Sequence, residues 1–122
     1  MPFIEVIGFD QQIDERRRLA SDMTTAIARA FGISEDIVTV YFHPIAPIHY
    51  AHAGRLAPPG PGRVFIKVHA FPRPEDLKAK AARDVCQSMV DIGCSPKDVI
   101  IYFFDRERFD VAHAGVLQSS NP

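Results

Sequence analysis

The sequence predicts an α+β fold in which a β-α-β unit occurs twice, joined into a four-stranded mixed sheet with both helices on one face. Three observations predict it. Val64-Phe65-Ile66-Lys67-Val68-His69-Ala70-Phe71 echoes residues 2 to 9 at an offset of 62, keeping a Phe-Ile-x-Val core and a closing Phe. Residues 95 to 117 align without a gap on 34 to 56 at an offset of 61, with identities at Ser34/Ser95, Val38/Val99, Tyr41/Tyr102, Phe42/Phe103, Ala51/Ala112, His52/His113, Ala53/Ala114, Gly54/Gly115 and Leu56/Leu117. Between these conserved stretches, each half carries a segment with helical periodicity.

Taken in order, residues 2 to 9 are an apolar, β-branched and aromatic run that reads as a strand covered on both faces. Asp10 offers an acceptor for a helix start. Ile13, Leu19, Ala20, Met23, Ala26, Ile27 and Ala30 recur at helical spacing between Gln12 and Phe31, Arg16, Arg17 and Arg18 face mostly outwards, and Gly32 supplies the stop. A second strand over Ile37 to Phe42 completes a right-handed crossover with its strands parallel. The Pro-rich residues from His43 to Gly54 read as loop and short edge structure, and Pro58-Pro59-Gly60-Pro61-Gly62 as a turn-rich connector. The division is repeat 1 over 2–57, a linker over 58–63, repeat 2 over 64–117 and a tail over 118–122. In repeat 2 the helix is expected to begin at Pro74, with Glu75 and Asp76 at the positive end of its dipole, and to run to about Ile92 before Gly93.

Helices on one side only leave the other sheet face open. The strands are apolar on both sides, with only Glu5, Lys67 and His69 interrupting them, so oligomerisation through the open face is a physical expectation.

Composition narrows the function classes. With 122 residues and 47% hydrophobic content the chain suits one domain with a real core. Fourteen basic against fifteen acidic residues give no summed field for nucleic acid or an anionic membrane. The start of the chain lacks the basic and long apolar regions of a signal peptide, and no apolar run approaches the roughly 18 residues of a membrane span. A cytoplasmic location is expected. Cys86 and Cys94 fit neither a C-x-x-C redox pair nor a zinc knuckle, and read as reduced, largely buried thiols. His43, His49, His52 and His69 lie in loops and separate strands without a carboxylate cluster, so no metal site is expected.

The chemistry points to Pro2. If Met1 is removed, Pro2 presents a secondary amine at the start of the first strand. An α-amino group has a pKa of about 7.7 to 8, and burial or a neighbouring cation lowers it towards the range of a general base. The same proline also reads simply as a strand start that needs no donor. Arg73, between a strand and a helix in Phe71-Pro72-Arg73-Pro74, falls at the expected helix cap, where a Ser, Thr, Asp or Asn would stabilise the helix by about 0.5 to 2 kcal/mol. Its guanidinium fork suits a carboxylate.

The Met-Pro start opening directly into a strand, the β-α-β unit, its tandem fusion and the small-residue turn ending in Gly together resemble the tautomerase superfamily, which includes 4-oxalocrotonate tautomerase and macrophage migration inhibitory factor. The resemblance covers residues 2 to 117 and is nearest to the fused branches of cis-3-chloroacrylic acid dehalogenase and malonate semialdehyde decarboxylase. It implies a homotrimer, no metal or organic cofactor, and catalysis by the amino-terminal proline on a small carboxylate. It places Pro2 at the catalytic position and Arg73 at the substrate carboxylate. Tyr102 and His113 fall at further catalytic positions, His113 standing where a glutamate is usual. Its repeat mate His52 supports a structural role equally well. Tyr50 and Phe31 fall at substrate-lining positions. Thr39 and Ile100 occupy the place of a second arginine, so a monocarboxylate keto-enol substrate, phenylpyruvate-like, is expected. A related decarboxylase or hydratase remains open, as does a non-catalytic trimeric binding protein should Met1 be retained.

Overall fold

The computed structural model describes residues 1–120. The tail expected over 118–122 therefore lies partly outside the described residues. Four strands form the main sheet: β1 (Phe3–Gly8), β2 (Thr39–Pro44), β5 (Val64–Ala70) and β6 (Val99–Asp105), in the order β2-β1-β5-β6. β1 runs parallel to β2 and β5 parallel to β6, while β1 and β5 pair antiparallel at the centre. Helices α1 (Ile13–Phe31) and α2 (Glu75–Val90) are the two crossovers and pack against each other.

Alternation fixes which face they cover. Ile4, Val6, Val64, Ile66 and Val68 are buried, joined by the half-buried Val40, Phe42, Val99, Ile101 and Phe103. Against them α1 sets Leu19, Met23, Ala26, Ile27 and Ala30, and α2 sets Ala81, Val85 and Met89. This is the stripe the sequence predicts, except that Ile13, in the first turn, is 59% exposed.

Boundaries shift for local reasons. α1 is capped by Gln12, whose backbone N–H donates to Glu15 Oε1 at 3.2 Å, whereas Asp10 pairs with Arg16. Gly32 ends it at φ 66°, a left-handed conformation that favours glycine. The second strand begins at Thr39, because Glu35–Ile37 form a 3₁₀ turn capped by Ser34, and it extends through His43 to Pro44, which an edge strand tolerates. Pro74 is the cap of α2 rather than its first residue, at φ −61° and ψ 157°, and the helix ends at Val90, short of the expected Ile92. Arg73 thus precedes the cap, and its position is not explained by a poor capping choice. Cys86 and Cys94 are free and half-buried, and burial pushes the Cys94 thiol up.

The Pro-rich stretch contains more order than its composition suggests. Residues β3 (Ala51–His52) and β4 (Arg55–Leu56) form a short hairpin, repeated by β7 (Ala112–His113) and β8 (Val116–Leu117). Both turn on Ala-Gly pairs with positive φ, Ala53 and Gly54 at 53° and 77°, Ala114 and Gly115 at 51° and 80°. Positive φ at both central positions matches the right-handed twist of a hairpin. Each hairpin pairs only with itself, is exposed throughout, and is too short to be stable alone in water.

The face away from the helices carries Phe3, Ile7, Tyr41, Phe65, Ile100, Tyr102 and Phe104. Phe3, Tyr41 and Tyr102 are 37%, 55% and 53% exposed. The His69 ring stacks between Phe3 at 4.1 Å and Phe104 at 4.8 Å. Beneath this ladder lies a polar cluster. His69 Nε2 stands 2.7 Å from Glu5 Oε2, His43 Nε2 3.2 Å from Glu5 Oε1, and Arg106 Nη2 3.4 Å from His69 Nδ1. A neutral His69 protonated on Nε2 satisfies both neighbours, donating to Glu5 and accepting from Arg106. The hydrogen bond from His69, more than any other influence, holds the Glu5 carboxyl below its usual value of 4.5.

Two outcomes follow from this packing. Leu19→Ala, at a site with 0% exposure, is expected to cost about 2 to 5 kcal/mol in urea unfolding through the cavity it leaves. Because the folded Glu5 pKa is depressed, its contribution is fully present above the unfolded value of about 4.5 and is lost as pH falls through the lower folded value. Urea midpoints of Glu5→Gln should therefore lie below those of the parent near pH 7 and converge with them in acid.

Candidate functional site

β1 begins beside the end of β5, because the two strands are antiparallel and Phe3 lies opposite His69. This brings the amino end of the chain next to the segment from Ala70 to Arg73. Pro2 is buried, and its carbonyl accepts from Thr39 N–H at 3.3 Å. On the β2 side a cleft of about 420 Å³ is lined by Met1, Pro2, Phe3, Asp36, Ile37, Thr39 and Tyr41.

On the β5 side stand two arginines. The Arg73 guanidinium lies 4.9 Å over the Phe31 ring, and its Nη1 donates to the Phe71 and Pro72 carbonyls at 2.9 and 3.3 Å. These contacts hold the side chain at the end of β5 without neutralising it. Arg108, on the turn after β6, lies 4.7 Å over the Phe71 ring. Neither arginine has a carboxylate partner among the described residues. Burial first, then Arg73 and then Arg108, hold the Met1 ammonium below its ordinary value of 8.0. The site combines a partly desolvated amine with two cations that lack carboxylate partners among the described residues, an arrangement that favours a neutral amine and suits an anion beside it.

Of the residues singled out in the sequence, one chain brings together Pro2, Arg73 and Phe31, with Phe31 as the platform under Arg73. The others lie elsewhere. Tyr102 sits in mid-sheet on the open face, stacked 6.1 Å from Phe65 and opposite Lys67. His113 is exposed on the β7–β8 hairpin. Tyr50 lies at the opposite end of the sheet, where its hydroxyl accepts from Arg63 N–H at 3.0 Å.

Arg108 is the residue that sequence reasoning missed. Asp105-Arg106-Glu107-Arg108 stands where repeat 1 has Pro44-Ile45-Ala46-Pro47, so the signal lay in a difference between the repeats rather than in their identities. This turn, rather than Thr39 or Ile100, sets a second cation near the chain start. Among the described residues no group of three or more His, Cys, Asp or Glu side chains is arranged to hold a metal ion, and no helix is long and apolar enough to cross a membrane.

No family model matches the chain, and no curated protein does. Solved structures match its fold closely. A fused 4-OT wild type asymmetric trimer superposes at a TM-score of 0.89 with 14% identity, covering 97% of both chains. Pt0534, inactivated by 2-oxo-3-pentynoate, superposes at 0.88 with 16% identity and the same coverage. A member of the cis-3-chloroacrylic acid dehalogenase family superposes at 0.79 with 21% identity, covering 94% of this chain and 82% of that one. The chain has the fold of the tautomerase superfamily, in its fused two-unit form.

Proposed function

We propose that the protein is a cofactor-independent tautomerase that interconverts the keto and enol forms of a small 2-oxo carboxylic acid, with Pro2 as general base after removal of Met1. One observation carries the reading: buried Pro2 follows a half-exposed Met1 whose ammonium is disfavoured by burial and by Arg73 and Arg108, two guanidiniums without carboxylate partners among the described residues. Removing Met1 moves the amine one residue deeper, into the same desolvated and cationic surroundings. The neutral proline nitrogen takes a proton from the carbon next to the carbonyl and returns it on the way back. Arg73 holds the carboxylate, and Arg108 stabilises the negative charge that develops on the enolate oxygen.

Tyr102 and His113 enter the reading through assembly. The open sheet face is largely apolar, and β2 and β6 are edge strands with free outer edges. The exposed hairpins are suited to extending such an edge on a neighbouring chain. A homotrimer, the form of the fused 4-OT structure, would cover this face and bring Tyr102 and His113 to a neighbour's chain start as secondary donors. Residues 1–122 then act as one tautomerase-like domain with one proline site per chain.

Pro2→Ala and Arg73→Ala are expected to reduce phenylenolpyruvate ketonisation by at least about 100-fold, the contribution typical of a positioned base, while size-exclusion chromatography shows the assembly intact. Full activity in both variants, or retention of Met1 by intact mass measurement on active protein from its own host, would refute the assignment. The acid limb of kcat/KM against pH reports the base in the free enzyme. Arg108→Gln removes a cation that lowers the amine pKa, so the limb should move to higher pH while Arg108→Lys restores it.

A further inference from the structure

The pseudo-twofold axis between β1 and β5 relates the chain start to a second place, at the other end of the sheet, where β5 begins. There a cavity of about 290 Å³ is lined by Ile7, Phe9, Ile45, Tyr50, Arg63 and Phe65, among others. Its walls are the counterparts of the amino-terminal site: Phe9 matches Phe71, Phe65 matches Phe3, and Ile45 and Pro47 stand where the other end has Arg106 and Arg108. The two ends differ in chemistry. Where Pro2 has the nitrogen of a chain start, Val64 has an ordinary amide nitrogen joined to Arg63, so no terminal amine is available as a base.

We infer that this cavity is a second ligand site, which binds a small aromatic monocarboxylate without transforming it. The floor of Ile7, Phe9, Ile45 and Phe65 matches an aromatic body, and the volume is at the small end of ligand sites. Its polar side chains are Tyr50, Arg63 and His49. Tyr50 Oη accepts from Arg63 N–H at 3.0 Å, and its own hydrogen has no acceptor among the described residues, so it is free to donate to a carboxylate. Arg63 and His49 stand on the same lining, and Arg63 has no ion-pair partner among the described residues. The wall is also fixed in place. A Cβ built on Gly62 would come within 2.8 Å of the Tyr50 ring, so the linker is seated directly on the ring and holds its hydroxyl at the cavity. Ile45 and Pro47 stand in place of Arg106 and Arg108, which leaves Arg63 as the one guanidinium on this lining and matches a ligand with a single charge.

This site stands independently of the tautomerase reading, and the experiment separates them. Phenylacetate is titrated into the full-length protein and into Pro2→Ala, followed by amide chemical shifts. Saturable shifts of residues 7–9, 45–51 and 62–65 in both proteins are expected, with Pro2→Ala losing only the shifts at the chain start. Tyr50→Phe and Arg63→Gln should each weaken this binding by roughly tenfold, the cost of one hydrogen bond to a charged group. Phenylacetamide, equal in shape and uncharged, should bind at least as weakly. Shifts confined to the chain start, equal binding of acid and amide, or unchanged affinity in both folded variants would overturn the proposal. If the variants fail to fold, the acid and amide comparison on the parent protein decides alone.

Discussion

The antiparallel pairing of β1 with β5, Phe3 against His69 through to Ile7 against Phe65, is the contact on which the rest depends. Each β-α-β half has one helix and a two-stranded sheet with two apolar faces, and cannot bury both. Joining the halves through their first strands creates one sheet whose helices cover a single continuous core. It also sends the starts of the two halves to opposite ends. One start is a chain terminus among cations and the other is an internal peptide among apolar side chains.

That division leaves the second sheet face as a demand for a partner. Its central residues are not uniformly apolar. Glu5 holds two histidines, Arg106 completes the far side of His69, and Lys67 faces the Phe104 ring at 5.8 Å. Covering such a face costs the desolvation of its polar groups unless they are already satisfied, and here most of the pairing is made within the chain. The aromatic ladder around the cluster supplies the apolar area.

Much of the fold was legible because the internal repeat and the helical period are written in the residues themselves, and the α1 stripe from Leu19 to Ala30 is where its period places it. Residues 2 to 9 were read as covered on both faces, whereas within the chain only the face of Ile4 and Val6 is buried. The boundaries were less legible, since they depend on specific caps: Gln12 with Glu15 displaced Asp10, and the Ser34 cap delayed β2 to Thr39. Pro2 and Arg73 were singled out by terminal chemistry and the family resemblance, whereas the capping argument for Arg73 fails because Pro74 is the cap. Arg108 was not, because its approach to the chain start depends on the path of a turn after β6 that no periodicity describes. The first hairpin was hidden in a Pro-rich composition, although the repeated His-Ala-Gly triplet marked both turns.

In a single β-α-β unit that assembles with copies of itself, one codon writes the same wall at every site. The peptide bond between Arg63 and Val64 ends that obligation. Position 45 became free to carry isoleucine while position 106 carries arginine, and position 47 proline while 108 carries arginine. The linker removes one terminal amine from each pair of units, and the walls at the two ends of the sheet are free to differ.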